Sequence, residues 1–536
     1  MAKALNQNAG KLARFMLRRD RLRIPIWLVA IVGFVILVAL VYESAYGEDG
    51  ERQAMAETMK NPAMIAMIGK GYGIDDYTLG AMMAHQMLLF TAIAAAIMSI
   101  LFVVRHTRAD EEAGRIELVR SFPTGRLAHL TATVAVAIGM NVILALLLGL
   151  GLAALQIESM DVTGSLVFGA AVGATGMIFT AMTAVFAQLS ENARGATGYA
   201  FLVLGLAYLI RAIGDVGDGV VSWISPLGWI LESRAYVENH WGPLLLTVVA
   251  ALVLTGFAFY LNAIRDLDAG FLPSRPGRKH ASIMLRNPFG LLLRIQRTGL
   301  VAWAVGMFIF GASYGSVMGD LESFFAENEL FQQLIHSEAL GFSMTEQFMT
   351  MLMSVLAMIG AIPVLMAILK LVGEESKGRA EHLFARVVSR CQLMFSALLL
   401  SFLTSVVMLS LSGIGLWLAG NAVVDGGMDF GRIYSAAVIY LPAVWVMVGL
   451  AVVLIGFLPR LTSLVWVYLI YSFLVVYMGG LFNFPDWMAK LTPFGQIPKI
   501  PVEEMDYAQV AILTLIAVIL IVIGMITYRK RDLEGI

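Results

Sequence analysis

Apolar positions along this chain neither alternate with polar ones nor recur at a helical spacing. They run almost unbroken for about 18 residues or more before a cluster of charge interrupts them. At 1.5 Å rise per residue, helices of that length match a bilayer core of about 30 Å. The runs predict spans over 24–44, 82–104, 127–155, 164–189, 195–213 and 243–264. A second six are predicted over 299–317, 348–370, 392–420, 433–458, 462–482 and 507–528. Strands fit poorly, because Gly, Ala, Leu and Met fill the runs, and in lipid a helix satisfies every backbone group within its own segment.

Composition removes the soluble alternative. Apolar residues make up 59% of the chain and charged residues 14%, where a soluble domain carries about a quarter charged. The charge is also sorted by side. With the N-terminus inside, the inner segments hold 29 of the 37 Lys and Arg and 13 of the 38 Asp and Glu, a net of +16 against −17 outside. The loop carrying Asp320, Glu322, Glu327, Glu329, Glu338 and Glu346 has no Lys or Arg. Basic residues gather on the cytoplasmic side, so both termini are expected in the cytoplasm, with the chain multi-pass in the inner membrane. The basic start, Lys11 to Arg23, leads into Ile24–Val41, too long for the apolar region of a signal peptide. A lone cysteine, Cys391, permits no intrachain disulfide.

The two sets of six repeat one another. Asp110, Glu111, Gly114, Arg115, Glu117 and Arg126 recur 264 residues later as Glu374, Glu375, Gly378, Arg379, Glu381 and Arg390. Ser225-Pro226-Leu227-Gly228 precedes the sixth span as Thr492-Pro493-Phe494-Gly495 precedes the twelfth, and Arg265-Asp266 follows one as Arg531-Asp532 follows the other. Trp27 and Trp303 open the first and seventh spans. Six spans per copy is an even number, so the copies keep one orientation. The expected fold class is all-α: about twelve transmembrane helices in two parallel-repeated halves of six. The first half covers 1–269, a linker rich in Pro, Gly and charge 270–290, and the second half 291–536.

Two kinds of segment could carry function. Lys11, Arg14, Arg18 and Arg21 recur at spacings of three and four among Leu12, Phe15, Met16 and Leu22, which predicts an amphipathic helix in the inner interface. A plain positive-inside anchor would need the same charges. The second kind is the hydrophilic stretch between spans two and three, repeated between spans eight and nine. Glu111 and Arg115, like Glu375 and Arg379, stand four apart with the acid first, the order that favours an ion pair along a helix. Gly114 and Gly378 would leave each such helix a face without side chains. A solvated charged loop is the blander alternative, and its recurrence in both halves weighs against it.

The pattern Glu-x-x-Gly-Arg-x-Glu followed by Pro123 and Arg126 resembles the cytoplasmic coupling helix of ABC-2 type exporter permeases. The basic helix before span one resembles their connecting helix, and the Pro-containing segment before span six their outer re-entrant region. The fused two-halved form, with Arg-Asp-Leu after each half, is most similar to exporters of polyketide antibiotics of the tetronasin-resistance type. In the second half Val387 stands where the first has Pro123, so the two docking surfaces are expected to differ. The resemblance implies a permease for a hydrophobic or amphiphilic compound, coupled through Asp110, Glu111, Gly114, Arg115, Glu117, Pro123 and Arg126 in the first half. In the second half it implies Glu374, Glu375, Gly378, Arg379, Glu381 and Arg390. Their partners would be two copies of an ABC ATP-binding subunit, and ATP and Mg would sit on those subunits.

The chain itself carries no phosphate-binding loop. Gly10-Lys11 is followed by Leu12 and Gly69-Lys70 by Gly71, so no catalytic residue is expected here. Leu411-Ser412-Gly413 lies in an apolar span and reads as helix packing. The seven histidines make no ligand-spaced pair, and no metal site is expected. Nothing suggests nucleic acid as a partner. Met82, Met83, His85, Gln86 and Met87 could line a substrate path, although packing serves methionines as well. Arg211 is expected to reach headgroups at the outer surface. The rival reading is a proton-coupled drug exporter of the major facilitator kind. Its loop motif needs a glycine and a basic residue where this chain has His106 and Glu111, and in the second half Lys370 and Glu375. Such carriers also bury carboxylates within their spans, and none lies at mid-depth here. A passive structural or receptor-like protein gives no reason for the repeated hydrophilic stretch.

Overall fold

The computed structural model describes residues 5–47, 49–60, 62–217, 219–266, 268–272, 280–318, 344–385, 388–424, 427–482, 484–498, 500 and 505–531. Val387, the acidic loop residues from Asp320 to Glu338, and residues 273–279 of the linker lie outside these. Among the described residues there is no strand, and twelve helices are long and apolar enough to cross a membrane. The chain divides into two compact units, Met1–Gly277 and Arg278–Ile536.

The first unit holds spans one to six, at Arg23–Ala45, Leu79–Arg105, Ala128–Ala154, Val162–Leu189, Ala193–Val216 and Gly242–Ile264. Spans two and four are mostly buried, whereas spans one and six turn Ile26, Val29, Phe34, Leu245, Leu252 and Val253 outward. That outward belt is what lipid would cover. Small residues set the closest packing. A Cβ on Gly176 of span four would fall 1.7 Å from Oδ1 of Asn141 in span three, so only glycine admits that side chain. Asn141 then donates from Nδ2 to Oγ of Ser99 in span two, 2.9 Å away, which joins three spans.

The second unit holds spans seven to twelve. They are Pro288–Val317, Met344–Glu375, Arg390–Val423, Phe430–Phe457 (broken at Ile439 and Tyr440), Leu464–Phe482 and Tyr507–Lys530. Span seven begins eleven residues before the expected start at 299. Asn287 caps it by accepting from the Gly290 amide at 2.7 Å, and Pro288 takes the first helical position. Arg294, Gln296 and Arg297 end the apolar run without ending the backbone helix.

Two corrections concern polar side chains. The basic N-terminal helix spans Ala9–Arg19 and stops at Asp20, so Arg21 lies beyond it while Lys11, Arg14 and Arg18 form its exposed stripe. Arg211 does not reach headgroups. It is fully buried, donates to the carbonyls of Ile65 at 3.3 Å and Ala66 at 2.9 Å, and pairs with Asp215 at 3.3 Å. Those carbonyls end a short helix, Pro62–Ile68, whose negative pole attracts a cation. That helix and its neighbour Asp49–Met59 were too short to show in the apolar pattern.

Candidate functional site

Each repeated hydrophilic stretch folds as an elbow. In the first unit span two ends at Arg105, a short helix runs Arg108–Glu112, the chain turns at Gly114, and a six-residue helix follows, Arg115–Arg120. In the second unit span eight runs without a break to Glu375, turns at Gly378 and enters Arg379–Phe384. Both glycines are left-handed, with φ of +69° and +68°. That conformation disfavours any residue with a Cβ. The glycines therefore make the corner and do not provide a bare face within one helix, as the spacing suggested. A Cβ at either would meet nothing within 4 Å, so both corners face open space.

The break moves every expected ion pair by one residue. Arg115 pairs with Asp110, not Glu111, and Arg379 pairs with Glu374 at 3.3 Å, not Glu375. A spacing of four brings side chains together only along a continuous helix, and the corner interrupts it.

Glu111 and Glu375 instead point inward, and each meets the arginine that follows the last span of its own unit. Arg265 holds Glu111 in a two-pronged pair, Nη1 to Oε1 and Nη2 to Oε2 at 3.0 Å each. Arg108 adds a second guanidinium at 3.2 Å, and the Asp268 amide donates to Glu111 Oε1 at 2.9 Å. The carboxylate is 5% exposed, Arg108 1% and Arg265 7%. In the second unit Glu375 accepts from Arg531 and from the Tyr528 hydroxyl, with the carboxylate 2% exposed. Val372 stands 264 residues after Arg108, so among the described residues the second carboxylate has one guanidinium where the first has two.

These arginines tie several spans together. Arg265 donates from Nε to Oε1 of Gln188, at the end of span four, at 2.9 Å, and Arg108 donates to the Ala187 carbonyl at 2.5 Å. Arg531 donates to the carbonyl of Ile455, near the end of span ten. At the start of spans three and nine, Arg126 donates to the Arg265 carbonyl at 3.0 Å and Arg390 to that of Arg531. One elbow is thus fixed to the ends of spans two, three, four and six, and the other to those of eight, nine, ten and twelve. The sequence showed Arg265 and Arg531 as landmarks of the repeat. What it lacked was any sign that chain ends 154 and 156 residues downstream close on the elbows.

The first elbow has an extra attachment. Arg19, at the end of the basic helix, donates to both oxygens of Asp110 at 2.7 and 2.9 Å, and this bonding holds its guanidinium above the usual pKa. Asn8 donates to the carbonyl of Pro123 at 2.7 Å. Asp20 meets His106 at 2.5 Å, with both side chains buried. Glu117 and Glu381, each on the third residue of its six-residue helix, are exposed.

The chain matches, over residues 12–261 and 285–529, the family described as multidrug efflux system permease Rv1217c, C-terminal domain. It is also 38% identical over 531 residues to the multidrug efflux system permease protein Rv1217c of Mycobacterium tuberculosis (strain ATCC 25618 / H37Rv), an alignment covering 98% of this chain and 95% of that protein. The chain belongs to this permease family.

The five residues named as candidate path lining sit near the start of span two of this permease. Met82, Met83, His85 and Met87 are buried. His85 bonds the Tyr77 hydroxyl through Nδ1 at 2.8 Å and the Gly69 carbonyl through Nε2 at 3.1 Å, while Gln86 accepts from Tyr42 at 2.7 Å. Met82 packs with Met55, Met59, Ile68 and Tyr77 against the short helices Asp49–Met59 and Pro62–Ile68. In the structure these side chains pack one end of the first unit together.

Proposed function

We propose that this chain is the transmembrane permease of an ATP-driven exporter of the ABC-2 type, in the fused two-halved form of the tetronasin-resistance exporters. It moves a hydrophobic or amphiphilic compound, an antibiotic, drug or lipid-like molecule, out across the prokaryotic inner membrane. Family membership carries the transport role. The observation that carries the coupling is the duplicated elbow, an open corner anchored by a buried carboxylate to the ends of four spans. A push on such a corner reaches several spans together, because buried charged networks are stiff and costly to break. With no phosphate-binding loop in the chain, the push comes from separate ATP-binding subunits, one per elbow, on which ATP and Mg reside. Glu117 and Glu381 are the exposed charges such subunits would meet, and the corners at Gly114 and Gly378 their points of closest approach.

Co-purification tests the partnership. The full chain, expressed with its ATP-binding partner, should elute with two partner copies per permease. A folded permease that transports without any partner would refute the proposal. Topology is tested with single cysteines in a Cys391→Ser background. Ala380 is buried, so Lys377 serves as the second inner probe. Ala113→Cys and Lys377→Cys should resist an impermeant thiol reagent in intact cells, and Glu158→Cys should react. Labelling at Ala113 in intact cells would reverse the orientation.

A further inference from the structure

Between the basic helix Ala9–Arg19 and the first elbow lies a groove of about 480 Å³, within the about 300–1,000 Å³ typical of small-molecule sites. Its walls are apolar: Leu12, Phe15 and Met16 from the helix face Ile116, Leu118 and Val119 from the elbow. Arg19, Arg105, Arg115, Asp110 and His129 complete the lining. Asp110 is taken up by Arg19 and Arg115, and His129 bonds the His106 carbonyl at 2.6 Å. Phe15 is 58% exposed and Leu118 70%, so the groove opens through apolar lips.

We infer that this groove binds an anionic phospholipid, one acyl chain lying between the helix and the elbow and the headgroup meeting the basic rim. The rim supplies the charge complementarity. Lys11, Arg14 and Arg18 are exposed on the same helix, and none has an ion-pair partner among the described residues. Arg115, at the groove edge, keeps 53% of its side chain exposed and Arg105 35%. Arg115 and Arg105 already pair with Asp110 and Asp20, so the free charge is that of Lys11, Arg14 and Arg18, and unpaired cations beside an apolar trough fit an amphiphile with a negative head and a hydrocarbon tail. A free phosphate would satisfy the rim and leave the trough wet. A zwitterionic lipid would fill the trough and gain little from the rim.

The site couples to the elbow through Asp110, which accepts from Arg19 on one wall and Arg115 on the other. An acyl chain between these walls would brace the first elbow. Among the described residues the second unit shows no separate basic helix, and Pro288–Val317 is continuous. The lipid site therefore belongs to the first half alone. The inference takes the inner-side placement of the elbows from the proposed function and uses nothing of its ATP chemistry.

Native mass spectrometry of the purified full chain, with no ATP and no partner subunit, tests it. The permease is delipidated in detergent and titrated with phosphatidylglycerol or phosphatidylcholine. The wild type should retain phosphatidylglycerol at a concentration at least about tenfold below that needed for phosphatidylcholine. Leu12→Trp, which fills the groove, should abolish the tight site for both lipids. Lys11→Gln with Arg14→Gln and Arg18→Gln should remove the preference and keep the groove. Each variant must elute as a single folded species, and where Leu12→Trp does not, Val119→Trp, which fills the groove from the elbow wall, replaces it with the same expected loss. Glycerol phosphate at millimolar concentration should not displace the lipid; displacement would move the site from lipid to free phosphate and overturn the inference. Equal retention of the two lipids, or no change in Leu12→Trp, would overturn it as well. Failure here leaves ATP-driven export standing, and failure of ATP-driven export leaves the lipid titration unaltered.

Discussion

Glu111→Ala should destabilise the folded permease by about 3–5 kcal/mol, the cost of stripping one partner from a buried ion pair. The substitution leaves two guanidiniums, Arg108 and Arg265, inside protein with no carboxylate between them. What they keep is neutral: Arg108 has the carbonyls of Ala187 and Ala269, and Arg265 the Ala269 carbonyl and the Gln188 side-chain oxygen. Glu375→Ala should cost less, because it orphans one guanidinium, Arg531, which is 12% exposed and can reach water. Glu117→Ala and Glu381→Ala, on the exposed faces, should change stability by no more than about 0.5 kcal/mol. Thermal unfolding of purified protein in one detergent compares all four. A Glu111 loss no larger than that at Glu117 would mean that the elbow is not anchored to span six.

The second large effect is on export. Gly114→Trp combined with Gly378→Trp should reduce export at least about tenfold while the protein remains inserted. A Cβ at either corner meets nothing within 4 Å, so an indole there starts into open space and holds off whatever docks. The left-handed backbone adds about 1–2 kcal/mol of strain for any residue with a Cβ, and that strain needs its own control. Asparagine tolerates the conformation better than other side chains and is small. Gly114→Asn with Gly378→Asn should therefore keep most export. Normal export from the Trp pair would remove the elbows from the coupling path. The single substitutions should differ, because only the first elbow is also held by Arg19 and Asn8.

How much of this was legible in the chain depends on what each feature requires. Twelve spans follow from runs of apolar residues, a local property, and the helices begin and end within a few residues of the runs except at Pro288, where arginines enter a continuing helix. The repeat was readable because duplicated residues keep their order. The elbows were located by the same signal and misread in shape. A glycine between acid and base looks the same in sequence whether it lies within a helix or ends one, and the difference shifted Arg115 from Glu111 to Asp110. The closure of Arg265 and Arg531 on Glu111 and Glu375 is tertiary, and nothing local to either partner announces it. Arg211 was misplaced for the same reason. Its partners are carbonyls of residues 65–67, and carbonyls carry no signature in a sequence.

The central claim is that export is driven by ATP hydrolysed on partner subunits that push on the two elbows. Inverted membrane vesicles containing the permease and its ATP-binding partner test this most directly, with uptake of a fluorescent amphiphilic drug followed over time. Uptake should require ATP, persist when an ionophore collapses the proton gradient, and vanish when the partner's hydrolysis is disabled. Uptake that ran on an imposed proton gradient without ATP, and stopped with the ionophore, would contradict it.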